Sequence, residues 1–300
     1  MNTYTLKNLS EFSELDEQMI ILWNKKYKIF YEEKIDNKSL FNAKNLKKLI
    51  LVSFLIEANK RHTVESLSPK QLVELQVLAE FETQNYINKN KDYQILIQLL
   101  ICSCFSYDAK SFDSILSVCF NKIGIEKCCI EVVFPFLSKM SVILEKYTIQ
   151  ESVISFSTNL IRKHLFYLIK SIPYGENCKR KWLLFLPENE THDLELLYSY
   201  LFLKMNNEKS IYLGENQSLE SVTECLENVS ITHTVIYISK GFDCTSVSNY
   251  LILLKKLNPT MTIFVTSYNP LKDKITEDIE YININNPQTF NTYLQKIISM

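Results

Sequence analysis

The stretch Pro173-Tyr174-Gly175-Glu176-Asn177 divides the chain into two patterns of different period. Before it, apolar residues recur at helical spacing. After it, they gather into short continuous runs at 182–186, 210–213, 235–238 and 262–265, with a last one at 279–284. Amphipathic segments at 192–203, 219–226, 247–257 and 290–298 alternate with these runs. Buried strands separated by helices predict a doubly wound, five-stranded parallel sheet of the Rossmann or flavodoxin-like kind over 180–300.

The helical part reads as two modules, so the fold class expected is multidomain, α followed by α/β. Over 1–75, Leu6, Leu9 and Phe12 make one apolar face. Leu15, Met19, Ile20 and Trp23 make a second, with Asp16 as its N-cap. Helical period fails at 31–38, where charges alternate with few apolar residues, as at a hairpin tip or wing. It resumes at Asn42, with Leu46, Leu49, Ile50, Phe54 and Leu55 as the buried stripe. Two helices, a wing and another helix predict a winged helix-turn-helix. Over 76–172, stripes at 95–100, 112–120, 128–144 and 154–169 predict a four-helix bundle.

Composition narrows the functions. Lys plus Arg (33) against Asp plus Glu (34) leaves a net charge of -1, so a globally basic surface is excluded and a local basic face is not. Glycine occurs only four times, where a usage of about 7% would give roughly 20, which disfavours a Gly-rich phosphate cradle. No apolar run reaches the ~20 residues of a membrane span; the longest, at 95–105, is broken by Gln98, Cys102 and Ser103. Eight cysteines without C-x-x-C spacing read as small buried apolar groups in a cytoplasmic protein, and no metal site is expected. His62, His164 and His233 stand without a Ser, Cys or paired carboxylate at catalytic spacing, and no enzyme is expected.

Several short motifs occur in a concordant order. Tyr4-Thr5-Leu6-Lys7-Asn8-Leu9 opens the chain, Trp23-Asn24-Lys25-Lys26-Tyr27 closes the second helix, and Ser39-Leu40-Phe41-Asn42 precedes the third. Phe134-Pro135-Phe136-Leu137 and Thr158-Asn159-Leu160-Ile161-Arg162 lie in the bundle, Pro187-Glu188-Asn189-Glu190-Thr191-His192 and Tyr212-Leu213-Gly214 in the sheet domain. In these motifs the chain resembles the MerR-type transcription regulators with a C-terminal cobalamin-binding sensor, the group of light-responsive carotenoid-gene repressors.

The resemblance implies binding of double-stranded operator DNA by a homo-oligomer. Between residues 25 and 48, eight lysines face three acidic residues, a net +5 placed on the expected recognition helix and wing. Gln18, Lys25, Lys26 and Tyr27 are the candidates on the helix, and Lys34, Asn37 and Lys38 on the wing. The family's turn glycine is Glu14 here, its recognition-helix arginine is Ile21, and its wing arginines are Glu33 and Ser39, which implies relaxed specificity. The alternative is a protein-interaction module that has lost operator binding and modulates a partner regulator.

The resemblance also places His192 where a family member's imidazole ligates cobalt, with Asp193 or Glu190 as the carboxylate that fixes its tautomer. Glu195 stands where the family has glycine, Ser267-Tyr268-Asn269 replaces its glycine pair, Leu144 its upper-face tryptophan, and Ile154-Ser155 its Glu-His pair. Side chains in place of glycine fill space, so the sequence predicts no cofactor, with cobalamin at His192 as the alternative. The plain structural reading of His192 is an exposed residue at a helix start.

Overall fold

The computed structural model describes residues 4–27, 29–30, 41–57, 93–146, 151–175, 177–238, 244–267, 281–283 and 287–298. They form two compact units, Met1–Leu160 and Ile161–Met300.

The first unit begins with helix α1 (Leu6–Ser13), fixed by a reciprocal cap. Asn8 N donates to Thr5 Oγ1 (3.2 Å) and Thr5 N to Asn8 Oδ1 (2.8 Å). Leu6, Leu9 and Phe12 are buried, and the helix stops at Glu14, whose φ of 60° lies in the left-handed region. Helix α2 (Glu17–Tyr27) starts where predicted, with Gln18 N donating to Asp16 Oδ1 at 2.8 Å. Its predicted apolar face is only partly buried. Ile20 is inaccessible and Trp23, three residues on, is half-buried, but Met19 sits one position round the helix and is 44% exposed. Helix α3 (Ala43–Glu57) buries Leu46, Leu49 and Ile50; the Phe54 and Leu55 side chains lie outside the described residues. Tyr4 and Phe41 exchange two backbone hydrogen bonds of 2.6 and 2.7 Å, and the Phe30 and Phe41 rings meet at 4.9 Å.

The predicted wing, with Lys34, Asn37 and Lys38, lies outside the described residues, as does the expected boundary near residue 75. The described helices do not by themselves show a winged helix-turn-helix.

Four helical stretches follow. Helix α4 (Gln94–Phe105) is buried from Ile95 to Phe105 on all sides, as a helix apolar around its whole circumference must be. Buried Gln98 donates to Ser13 O at 3.0 Å, satisfying a carbonyl at the end of α1. Helix α5 (Ala109–Ile123) is capped by Asp108. The stripe predicted over 128–144 is one helical path with a defect: α6 (Ile125–Cys128), a π turn (Cys129–Val133) and α7 (Phe134–Lys146). Pro135 has no N–H for the carbonyl of Glu131, four residues back, and the wider turn accommodates this. Helix α8 (Glu151–Ser171) crosses the division between the units. Among the described residues no helix is long and apolar enough to cross a membrane.

The second unit is an α/β layer. Strands β1 (Asn177–Pro187), β2 (Glu208–Gln217), β3 (His233–Ile238), β4 (Thr262–Ser267) and the three-residue β5 (Tyr281–Asn283) form a parallel sheet in the order 2-1-3-4-5. That is the flavodoxin-like order, with its switch point beside β1. The helices that follow β1, β2, β3 and β5 are α9 (Leu194–Met205), α10 (Leu219–Asn228), α11 (Cys244–Leu257) and α12 (Pro287–Ile298). Side chains alternate across the pleat. Leu183, Phe185, Ile236, Ile238, Ile263 and Val265 join one core with Val222, Leu251 and Leu254 of α10 and α11. On the opposite face Trp182 lies 5.3 Å from Phe264 and 6.4 Å from Phe290 of α12, and Phe290 is 6.3 Å from Phe202 of α9. The helices thus cover both faces.

At the amino ends of the strands, Glu208 is fully buried and accepts from Arg180 Nη2 (2.8 Å) and Trp182 Nε1 (2.9 Å), while Arg180 Nη1 donates to Ile297 O (2.9 Å). This latch ties β1, β2 and α12 together at the end of the sheet away from the site below.

Candidate functional site

The opposite, carboxyl end of β1 runs into the loop from Pro187 to Asp193. Glu190 N donates to Pro187 O at 3.0 Å, closing a tight turn with Asn189 at φ 70°. Asparagine tolerates that conformation better than most residues. Asn189 N donates to Asn216 Oδ1 (2.9 Å), and Asn216 N to Glu190 O (3.0 Å); Asn216 is itself left-handed at φ 55°. Two left-handed asparagines therefore lock the loop after β1 to the end of β2. Gly214 (φ 88°) and the shift in register between Leu184 and Phe185 bring β2 into that position.

The lock turns Glu190 inward. Its carboxylate is buried, and Oε1 accepts from Thr191 N (3.1 Å) and His192 N (3.2 Å) and meets His192 Nδ1 (3.0 Å). The His192 side chain is 81% exposed. With Nδ1 held on a carboxylate, the imidazole carries its proton there and leaves the Nε2 lone pair free for a ligand. His192 is thus exposed at the helix start, but it is not a free side chain.

Of the two carboxylates at the right distance in sequence, the structure selects Glu190. Asp193 is turned away onto Arg162 of α8, which reaches both of its oxygens: Nε to Oδ1 and Oδ2 at 3.1 Å each, and Nη2 to Oδ1 at 2.7 Å. That fork raises the Arg162 guanidinium above its ordinary value. Tyr212 stacks on Tyr200 at 5.2 Å and directs its hydroxyl to Asp193 at 3.5 Å; burial, then the Asp193 charge, pushes it up. Sequence reading gave Arg162, Tyr212, Asn189 and Asn216 no role. Arg162, Tyr212 and Asn189 stand in its motifs and Asn216 does not, and their pairing depends on approach of distant segments.

Down α9 from His192, Glu195 is partly buried and desolvation pushes its carboxyl up. One turn further, Ser199 Oγ lies 2.8 Å from the Tyr237 hydroxyl of β3, both buried. Asn291 Nδ2 donates to the Tyr198 hydroxyl at 2.6 Å. The seam between α9 and the sheet is therefore filled by side chains. Among the described residues, no three His, Cys, Asp or Glu side chains gather to hold a metal ion.

The predicted DNA-contacting residues are only partly described. Gln18, Lys25 and Lys26 are exposed on α2; Tyr27 ends that helix, with its side chain outside the described residues. They share the face with Ile21 (43% exposed) and Leu22 (64%). Lys47, counted in the basic segment, is engaged with Asp108 at 2.7 Å. Burial would raise the Asp108 carboxyl, but hydrogen bonds from Lys47 and Ser111 outweigh it and hold the group well below the usual range.

No family model and no curated protein matches the sequence. Solved structures do match. A monomethylamine corrinoid protein of Methanosarcina barkeri is 14% identical, with a TM-score of 0.49 over 68% of this chain and 99% of that one. A cobalamin-binding protein of Desulfitobacterium hafniense is 9% identical, with a TM-score of 0.33 over 72% and 97%. A methanol:cobalamin methyltransferase complex of Methanosarcina barkeri is 12% identical, with a TM-score of 0.37 over 80% and 89%. All three are named for a corrinoid or for cobalamin, so the expectation of no cofactor is not borne out.

Proposed function

We propose that the α/β unit binds a corrinoid, with His192 Nε2 as the axial ligand to its cobalt. The supporting observation is the Glu190–His192 pair at the carboxyl end of β1, where open α/β sheets take their ligands. A single imidazole offers one bond, which suits a metal whose other positions a macrocycle already fills. When bound, a corrinoid would supply the chemistry of a cobalt centre, which His192 would hold. Glu190 keeps the His192 proton on Nδ1, and the Arg162–Asp193 fork holds the first turn of α9 so that the ring does not swing. The donor set fits the metal end of a corrinoid; the filled seam does not fit a nucleotide tail. Retention of a corrinoid by the purified chain, lost in His192→Ala, is the expected result. Glu190→Ala is expected to weaken it about 10- to 100-fold, as loss of a carboxylate behind a metal-bound histidine does. Failure to retain either cobinamide or cobalamin ends this reading.

For the chain as a whole we propose a DNA-binding regulator, acting as a homo-oligomer, in which Lys25 and Lys26 meet phosphates. Support comes from the exposure of Gln18, Lys25 and Lys26 along one side of α2. The reading assigns the chain no catalytic step. A specific observation favours a second reading, docking of a partner regulator: Met19, Ile21 and Leu22 are exposed on that helix among the lysines. Retention on duplex DNA decides between them. Lys25→Glu with Lys26→Glu abolishes retention in the first reading and leaves it unaltered in the second, where Leu22→Asp disrupts the protein complex instead.

A further inference from the structure

We propose that the corrinoid taken at His192 is a tail-less, cobinamide-type macrocycle; this rests on the reading of His192 as the axial ligand. Two independent observations carry it. The first is steric. His192, Glu195 and Ser199 fall on one side of the chain entering α9, at spacings of three and four residues. A nucleotide tail descending beside the imidazole would have to follow that line into the seam. There the Ser199 hydroxyl is bonded across to Tyr237, which is 5% exposed, and Tyr198, at 1%, is bonded to Asn291. Leu184 and Leu186 of β1, both inaccessible, back the same face. Admitting a ribose, a phosphate and a base would break a buried hydrogen bond and displace an aromatic ring from a close-packed layer.

The second observation is electrostatic. The loop after β1 carries Glu188, Glu190 and Asp193, the first turn of α9 Glu195 and the end of β2 Glu215, and Arg162 is bonded to Asp193 among them. A tail phosphodiester adds a negative charge on that line, so the tailed corrinoid carries one positive charge fewer than the tail-less one. The acidic rim therefore attracts the tail-less macrocycle more strongly than the tailed one.

The test is a side-by-side titration of the full chain with diaquacobinamide and aquacobalamin, followed by visible absorption. The cobalt(II) forms are then examined by electron paramagnetic resonance for nitrogen coupling from an imidazole. Cobinamide is expected to half-saturate the chain at a concentration about tenfold or more below cobalamin, with the nitrogen signature and with loss of both signals in His192→Ala. Equal or tighter binding of cobalamin overturns the tail-less assignment and leaves the axial role of His192 standing. Binding of neither, or binding that His192→Ala leaves unaltered, overturns both. A second variant tests the cause. Glu195→Gly with Tyr237→Ala opens the line and removes a charge, and should bring the two affinities to within about threefold. A preference that stays as wide in that variant, with the fold verified by circular dichroism, overturns the proposal.

Discussion

Glu190 and Asp193 lie three residues apart and both are buried, yet they do different work. Glu190 orients an exposed imidazole, and Asp193 anchors a helix start to Arg162. The difference comes from partners, not from residue type. The same principle governs Glu208, inaccessible and bonded to Arg180 and Trp182. Glu208→Gln would leave the Arg180 guanidinium, 14% exposed, without its counter-charge; a loss of about 3 kcal/mol is expected from urea unfolding. His233 packs on Trp182 at 4.5 Å. Desolvation, then the Arg180 charge, lowers it from 6.5 to about 4, partly opposed by Glu208. Between these values the unfolded state binds the extra proton, so stability falls as pH drops from about 6.5 towards 4. After allowance for the solvent that reaches the ring, this amounts to about 1–2 kcal/mol. Unfolding of His233→Asn at pH 4.5 and 7 should show that much less pH dependence than the parent chain.

At the level of elements, the approach of the loop after β1 to the end of β2 depends on backbone conformations that few residues adopt. Gly214, at φ 88°, would strain a Cβ whatever the room around it, and the nearest atom, in the Tyr212 ring, is 3.5 Å away. Gly214→Ala is therefore expected to cost about 1–2 kcal/mol in thermal unfolding. It should also weaken corrinoid retention, because Asn216, two residues on, holds the Glu190 turn. Unchanged stability would show that β2 has a second route to that position. Glu14 presents the opposite case: a left-handed residue that is not glycine, held by Lys139 and by Gln98 Nε2 at 3.3 Å. Its side chain replaces conformational freedom with long-range contacts between α1, α4 and α7. Sequence reading saw only a missing glycine there.

For the whole molecule, a net charge of -1 means that any hold on DNA comes from a local patch. With Lys47 engaged by Asp108, that patch is smaller than the sequence count of lysines implied. The dependence of duplex retention on salt should accordingly be shallow, with a log-log slope of about -2 to -4. A slope near zero in the parent chain would instead favour the protein-docking reading of α2.

The alternation of short apolar runs with amphipathic segments was enough to locate the parallel sheet and its helices, because burial on both faces leaves a continuous apolar signature. Its edges were less legible: β1 begins at Asn177, through polar Lys179 and Arg180, which no apolar run marks. The π turn at Cys129–Val133 follows from Pro135, but only once the helices on either side are known to be one path. The family resemblance also singled out His192. What it left open was the identity of the carboxylate behind it, since Glu190 and Asp193 both lie within two residues of His192. Tertiary structure made that choice through Asn216, 26 residues beyond Glu190, and Arg162, 31 residues before Asp193. Local sequence sets which backbone shapes are cheap; which carboxylate meets which cation is set by the segments that packing brings alongside.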